Sequence, residues 1–177
     1  DLDLGTQKED FAWNDNLKNY LVDASLATSF TATGLPTWMN LNAQTGALSG
    51  TPRRVDVGNY SGIQFTANGS GGSATASGRG LVQKTIHPPS WTQNLITYPD
   101  TLEDQPFTAE AMPFLSKGDG TNFTFSSVNA PAWLNVHSSQ ATLSGVPHTF
   151  GAVSFDLNFS TIIDGQNFQG TTKVQFN

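Results

Sequence analysis

The acidic, serine and histidine side chains are the residues of this sequence best suited to catalysis. A nucleophilic serine commonly lies in a Gly-x-Ser-x-Gly turn, and neither Gly46–Gly50 nor Gly69–Gly72 fits that pattern. A pair of carboxylates could hydrolyse a glycosidic bond, but the sequence specifies no distance between any two of its 14 acidic residues. We therefore predict that this chain is not an enzyme.

Metal chemistry is restricted by the absence of cysteine, which excludes disulfides, zinc–thiolate clusters and thiol nucleophiles. The three histidines are too widely spaced to form a zinc site on one element: His87, His137 and His148. Carboxylate oxygens remain, and these are the ligands that Ca²⁺ prefers. Asp23, Asp119 and Asp164 have a spacing that permits this role, although they form no motif.

The charge of the chain argues against a nucleic-acid partner. The net charge is −6, whereas phosphate binding needs clustered Lys and Arg. Residues 1–85 carry seven acidic and six basic side chains, and residues 86–177 carry seven acidic and two basic ones. A bound cation should therefore prefer the second half.

No apolar run approaches the roughly 20 residues of a membrane span, so we expect no membrane insertion within this chain. We interpret the chain as a fragment of a longer protein.

An internal repeat is the strongest organisational signal. The segment 35–52 is echoed by 130–147 at a constant offset of 95, and seven of the 18 aligned positions are identical: Pro36/Pro131, Trp38/Trp133, Asn40/Asn135, Leu48/Leu143, Ser49/Ser144, Gly50/Gly145 and Pro52/Pro147. A repeat of this length indicates two domains rather than the short units of a solenoid. Between the copies, Pro88-Pro89 is typical of a semi-rigid linker. We place the domains at 1–86 and 87–177.

The pattern of each copy predicts a β-sandwich. Short segments that alternate apolar and polar side chains, such as Thr28–Thr33 and Asn122–Ser127, are separated by turn residues at the spacing of sandwich strands. Within the repeat, Gly46 can take a positive φ in the turn after Asn42. The abundance of Gly and Pro and the charged fraction of only 12% leave little sequence for long helices. The predicted fold class is all-β, with two tandem sandwiches.

The four tryptophans fall into two pairs. Trp38 and Trp133 occupy matching positions of the repeat, which predicts that both are buried in a core. Trp13 and Trp91 do not recur. An exposed indole could bind the face of a sugar or a protein partner, so these two are the candidate ligand-binding residues, with packing of Trp91 against the linker as the alternative.

The motifs resemble those of a known family. A Glu-Asp start, Leu-Pro-Thr-Trp-Met-Asn-Leu-Asn at 35–42, Thr-Gly-Ala-Leu-Ser-Gly-Thr-Pro at 45–52 and a late Val-Gly-Asn-Tyr at 57–60 are similar to the dystroglycan-type cadherin-like domain. The second copy keeps Pro131, Trp133 and the Leu-Ser-Gly segment but lacks the Thr-Gly pair. The resemblance implies two Ig-like, seven-stranded sandwiches in a secreted or cell-surface protein.

Calcium is the cofactor that this resemblance suggests. Glu9, Asp10, Glu103 and Asp104 match the acidic residues at the start of each domain in the family. The resemblance breaks at the positions where cadherins carry Asp-Arg-Glu, the Asp-x-Asn-Asp-Asn linker and a late Asp-x-Asp. We therefore expect calcium to bind weakly or not at all, with Glu103, Asp104, Asp119 and Asp164 of the second copy favoured over Glu9, Asp10 and Asp23 of the first.

The resemblance also implies a function. The first hypothesis is a non-catalytic extracellular adhesion or spacer segment of a larger surface or secreted protein, which contacts another protein or a glycan. The alternative is a pair of accessory carbohydrate-binding modules from a secreted polysaccharide-degrading enzyme. An exposed aromatic platform that includes Trp13 or Trp91 would favour the second hypothesis, because sugar rings stack on flat aromatic faces.

Overall fold

A computed structural model describes residues 1–148 and 151–176. The chain divides into two compact units, Asp1–Thr85 and Ile86–Asn177, so the division lies one residue before the predicted boundary. The secondary structure of both units is almost entirely β, as the sequence predicted. Among the described residues the helical segments are four single 3₁₀ turns: Leu17–Tyr20, Ala24–Leu26, Arg54–Asp56 and Met112–Phe114. No helix in the described part of the chain is long and apolar enough to cross a membrane.

The first unit is a sandwich of two sheets. One sheet has four strands in the order β1-β7-β6-β3, with β1 parallel to β7, and the other has three antiparallel strands in the order β2-β5-β4. The seven strands of this unit are β1 (Leu2–Lys8), β2 (Trp13–Asn16), β3 (Ala27–Thr33), β4 (Met39–Leu41), β5 (Ala47–Gly50), β6 (Gly58–Gly69) and β7 (Gly72–Gln83).

The second unit repeats this topology and adds a short ribbon. Its four-stranded sheet has the order β12-β15-β16-β9, its three-stranded sheet has the order β10-β14-β13, and β11 pairs with β8. The strands are β8 (Ser90–Trp91), β9 (Leu95–Thr97), β10 (Phe107–Glu110), β11 (Leu115–Ser116), β12 (Thr124–Val128), β13 (Leu134–Val136), β14 (Thr142–Gly145), β15 (Val153–Ile163) and β16 (Gln166–Phe176). The β8–β11 ribbon has no counterpart in the described residues of the first unit.

Each unit has its own hydrophobic core, formed by the inward side of the strand alternation. The first core surrounds Phe30, Leu48 and Ile63, and the second surrounds Phe125, Leu143 and Leu157. Because alternate residues of a strand face opposite sides, the polar partners of these apolar residues line the outer face of each sheet.

The backbone of the repeat confirms the predicted turn. Gly46 has a φ of 73° and its N–H donates to the carbonyl of Asn42 at 2.9 Å. In the second unit Ala141 takes the same left-handed conformation, with a φ of 55°, and donates to His137 at 3.1 Å. The turn therefore forms without glycine in the second unit, although a residue with a side chain pays a conformational cost at positive φ.

Trp38 is buried, as predicted. Trp133 is only half-buried, contrary to the prediction, and packs against the core of the second unit. Trp13 does not recur as a tryptophan, and a phenylalanine takes the equivalent position in the second unit. Trp13 pairs with Gly50 in the β2–β5 ladder, and Phe107 pairs with Gly145 in the β10–β14 ladder. The ring centroids of Trp13 and Trp38 are 5.9 Å apart, and those of Phe107 and Trp133 are 6.5 Å apart. An aromatic residue at the same ladder position thus packs against the repeated tryptophan in each unit.

Candidate functional site

Glu9 is a buried carboxylate with both oxygens engaged. Its side chain is 2% exposed, Oε1 lies 2.8 Å from Nε of Arg54, and Oε2 accepts the N–H of Thr85 at 3.0 Å. The Thr85 hydroxyl also donates to the backbone carbonyl of Glu9 at 3.0 Å. A buried carboxylate needs such compensation. Glu9 therefore ties the end of β1 to the segment after β7, and its oxygens already have donors of their own.

Asp10 and Asp23 lie at opposite ends of the first unit. Asp10 follows β1 with a φ of 63°, and its N–H donates to Pro52 at 2.8 Å. Asp23 caps the 3₁₀ turn Ala24–Leu26, and hydrogen bonds from the side chain and then the backbone of Ser25 lower its pKa. This turn leads into β3 beside the β6–β7 hairpin. Because β7 has 12 residues, the two ends are roughly 35 Å apart.

The acids of the second unit also divide between its two ends. The backbone N–H of Asp104 donates to Pro147 at 2.8 Å, just ahead of β10, and its carboxylate lies 3.1 Å from Nδ1 of His148. Glu103 precedes it and is exposed. Asp164 forms the tip of the β15–β16 hairpin with a φ of 49°. The 11-residue β16 separates these ends, by roughly 30 Å.

Asp119 lies in the turn after β11. Its Oδ2 accepts the backbone N–H of His87 at 3.0 Å and lies 3.5 Å from the Nδ1 of that histidine. Three residues later, the carbonyl of Asn122 accepts the Thr161 hydroxyl at 2.6 Å, which places this turn toward the hairpin that carries Asp164. The four acids of the second unit therefore do not assemble into one site, and calcium binding stays a prediction.

We expect calcium to stabilise the chain only weakly, because no more than two of the predicted acids share one end of a unit. With an affinity of about 10⁻³ M, 10 mM Ca²⁺ would stabilise the binding unit by about 1.4 kcal/mol. Thermal melts with EDTA, Mg²⁺ and Ca²⁺ measure this, and Asp104→Asn and Asp164→Asn distinguish the two ends. Micromolar affinity, or unfolding in EDTA, would contradict the prediction.

Neither candidate ligand-binding tryptophan forms an exposed platform. Trp13 and Trp91 are both half-buried. Trp13 meets the ring of Trp38 edge-on at an angle of 76°. Trp91 lies against Phe125 and Phe159, with ring centroids 6.3 and 5.7 Å apart, so its main contacts are in the core of the second unit. Their predicted role in ligand binding remains untested.

The outer face of the β12-β15-β16 sheet presents a different surface, which we call the hydroxyl–amide face. Residues paired across strands point to the same side, and two rows lie side by side. Across β12, β15 and β16, one row consists of Thr124, Ser160 and Gln169. The next row consists of Ser126, Asn158 and Thr171. The Thr171 hydroxyl donates to Oδ1 of Asn158 at 2.6 Å. A depression of about 280 Å³ follows these rows. A second, of about 570 Å³, extends from Thr124 and Ser160 to the exposed Ile162 and to Asn167.

The first unit has an equivalent face. Thr31, Thr66 and Thr75 form one row, and Thr33, Gln64 and Ser77 form the next. Nε2 of Gln64 donates to the Ser77 hydroxyl at 3.0 Å. The alternation of apolar and polar residues that predicted the strands also predicts a polar outer face. It does not predict the cross-strand register that aligns the polar residues of β6 and β15 with those of the neighbouring strands.

Hydroxyl and amide groups both donate and accept hydrogen bonds without carrying charge. The two rows in each unit contain no ionisable side chain. The next row of the second unit contains Lys173 and Asp156, whose Nζ and Oδ1 atoms are 3.1 Å apart. Each face is therefore suited to a neutral polar surface, either a peptide backbone or the hydroxyls of a glycan.

Residues 8–82 match the protein family described as "Putative Ig domain". The match lies within the first unit and covers less than half of the chain. The match begins at Lys8, the last residue of β1, and ends at Val82 in β7. The second unit shares the strand order of the first and lies outside the match. None of the curated proteins matches the chain.

The solved structures that match the chain share little sequence with it. The endo-fucoidan hydrolase MfFcnA9 of glycoside hydrolase family 107 is 22% identical over 97% of this chain and 32% of its own, with a TM-score of 0.44. Human CDH23 EC21-23 is 12% identical over 84% of this chain and 57% of its own, with a TM-score of 0.45. BT4661, a SusE-like polysaccharide-binding protein from Bacteroides thetaiotaomicron, is 10% identical over 99% of this chain and 32% of its own, with a TM-score of 0.40. The chain spans less than two thirds of the length of each of these proteins.

Proposed function

We propose that the chain is a non-catalytic extracellular adhesion or spacer segment of a larger surface or secreted protein. Its two sandwiches, both of the dystroglycan type, hold two contact faces that bind another protein or a glycan. The outer faces of the four-stranded sheets supply these contacts.

The repeated hydroxyl–amide face carries this proposal. Both units retain two adjacent rows of Ser, Thr, Asn and Gln on the same side of the same sheet. Strands that merely cover a core need only soluble side chains outside, and charged residues are the usual choice for such surfaces. Uncharged donors and acceptors in register instead suit hydrogen bonding to an uncharged partner.

The same observation favours the accessory carbohydrate-binding role as the second candidate. Glycan hydroxyls and these side chains are mutual donors and acceptors. Such binding would rely on hydrogen bonds rather than on stacking, since Trp13 and Trp91 are half-buried. We therefore expect weak binding that gains strength when both units engage one chain of the polymer.

Electrophoresis of the full chain through gels that contain a neutral polysaccharide, such as laminarin, xylan or dextran, tests the glycan contact. Asn158→Ala/Gln169→Ala removes the two amides of the second face, and we expect it to weaken retardation at least tenfold because each lost hydrogen bond costs about 1 kcal/mol. Asn135→Ala/Gln140→Ala removes the same residue types at exposed positions outside that face and should leave mobility unchanged.

Three results would change the proposal. An equal loss of retardation in both double variants would show that the polysaccharide does not bind at the hydroxyl–amide face. Retardation by none of the polysaccharides would remove the carbohydrate-binding candidate and leave a protein contact. A rise in reducing ends during incubation with any of these polymers would contradict the non-catalytic assignment.

A further inference from the structure

The tryptophan of the β8–β11 ribbon fills a specific space in the second unit. Trp91 pairs with Leu115 across the ribbon. Its ring lies against Phe125 and Phe159, and its Nε1 donates to the carbonyl of Gly170 at 3.3 Å. The residue that follows it, Thr92, donates its N–H to Phe114 at 2.8 Å. Trp91 therefore closes the core where the sheet and the β10–β12 connection meet.

The strand ladders identify the same space in the first unit. Phe125 pairs with Phe159, and Phe159 pairs with Gly170. The corresponding ladder of the first unit joins Phe30 to Ala67 and Ala67 to Ala74. The aromatic ring of Phe159 in the second unit is thus matched by the methyl group of Ala67 in the first.

The chain segment opposite Trp91 also has a counterpart. The N–H of Leu17 donates to Gly46 at 2.9 Å, and the N–H of Ala111 donates to Ala141 at 3.0 Å in the matching turn. Leu21 lies four residues after Leu17, as Leu115 lies four residues after Ala111. Leu21 is therefore the counterpart of the residue that pairs with Trp91, and its backbone is extended, with φ −95° and ψ 142°.

This space is open in the first unit. A cavity of about 160 Å³ lies between the 3₁₀ turn and the sheet, lined by Leu17, Tyr20, Leu21, Phe30, Phe65 and Ala67 among others, none of them charged. The Tyr20 hydroxyl donates to Asp15 at 2.6 Å, which holds one wall in place. The next residue, Val22, is 109% exposed. In the described part of this unit no strand pairs with Leu21 or Val22.

We propose that this cavity accepts an extended, uncharged peptide segment that enters ahead of β1, pairs with Leu21–Val22 and inserts an aromatic side chain. The occupant is the counterpart of Ser90–Trp91. Strand addition of this kind combines backbone hydrogen bonds with a pocket for one side chain. The uncharged lining excludes a charged side chain because its desolvation would not be compensated.

The repeat also determines where such a segment must join the chain. Leu2 pairs with Gly78, and Ile96 pairs with Val174. Gly78 and Val174 are matching positions, since they pair with Ile63 and Phe155 in the two hairpins. Trp91 lies five residues before Ile96, so an aromatic residue five positions ahead of Leu2 would have the same reach.

An extension of the full chain tests the proposal. The sequence of residues 88–94, Pro-Pro-Ser-Trp-Thr-Gln-Asn, is joined directly ahead of Asp1, and the matched control carries alanine in place of the tryptophan of the extension. We expect the tryptophan form to raise the Tm of the first unit by roughly 5 °C or more over the alanine form. Hydrogen exchange in residues 17–26 should slow in the tryptophan form, because Leu21 and Val22 gain backbone partners.

A third form carries the tryptophan extension together with Ala67→Trp, which fills the cavity from within. We expect it to lose the added protection of residues 17–26. Equal Tm values and equal exchange for the tryptophan and alanine extensions would overturn the proposal. Protection that persists with Ala67→Trp would also overturn it, because the aromatic side chain would then bind elsewhere. These readouts are independent of polysaccharide retardation, so the two proposals fail separately.

Discussion

Replacing Trp38 by alanine is expected to lower the free energy of unfolding of the first unit by about 3 to 5 kcal/mol. The side chain is 9% exposed, and its ring packs edge-on against Trp13 and Tyr60, with centroids 5.9 and 5.8 Å away. The aromatic partners lie in both sheets, so neither sheet can collapse into the cavity without losing contact with the other. A small domain is stable by only about 5 to 15 kcal/mol, and the variant should be close to unfolding.

Trp133→Ala is the matched variant in the second unit, where we expect a smaller cost. Trp133 is half-buried, and its buried Nε1 has no hydrogen-bond partner among the described residues. Removing an unsatisfied donor recovers part of the cost of its desolvation, typically about 1 to 3 kcal/mol. Urea unfolding measures both changes, with Val22→Ala as a control that should shift stability by less than about 0.5 kcal/mol. A larger loss in Trp133→Ala than in Trp38→Ala would contradict this interpretation.

Gly50→Ala is expected to destabilise the first unit by about 3 kcal/mol or more, for a steric reason. A Cβ at Gly50 would lie 2.0 Å from the carbonyl oxygen of Trp38 and 2.9 Å from its ring. Neither atom can withdraw, because Gly50 pairs with Met39 on one side and Trp13 on the other. The glycine of the repeated Ser-Gly pair therefore allows the end of β5 to lie close to the backbone of Trp38.

Gly145→Ala should have a similar effect in the second unit, where the Cβ would lie 2.1 Å from the carbonyl oxygen of Trp133. Gly71→Ala is the matched control, since a Cβ there meets nothing within 4 Å. Thermal unfolding of the three variants measures the difference. A Gly50→Ala chain as stable as Gly71→Ala would show that the close approach is relieved by a backbone shift at little cost.

Much of the fold was visible in the sequence because its determinants are local or repeated. Pro36, Trp38, Gly50 and their partners recur at a constant offset, and the alternation in 28–33 and 122–127 corresponds to β3 and β12. The structural counterpart of Trp13 was not visible in the same way. Its counterpart is a phenylalanine, and a search for identical residues does not detect one aromatic residue that replaces another at the same position of a ladder.

The candidate sites depended more on the tertiary structure. The family resemblance placed Glu9 among the predicted metal ligands, because Glu9 and Asp10 match the acidic residues at the start of the family's domain. The fold places Arg54 2.8 Å from that carboxylate, and no spacing in the sequence connects residues 9, 54 and 85. Likewise, Asp104 and Asp164 are grouped by the charge of the second half but separated by the length of β16.

The sequence by itself determined the fold class, the repeat and the matching positions of Trp38 and Trp133, because periodic burial and turn chemistry act over a few residues. Only the tertiary structure decided which polar residues share a sheet face and which core position is open. Cross-strand register aligns Asn158 with Thr171, and the same register opposes Ala67 to Phe30 where Phe159 opposes Phe125. Register arises from the closure of the whole sandwich, so residues far apart in sequence acquire their roles only when both sheets are in place.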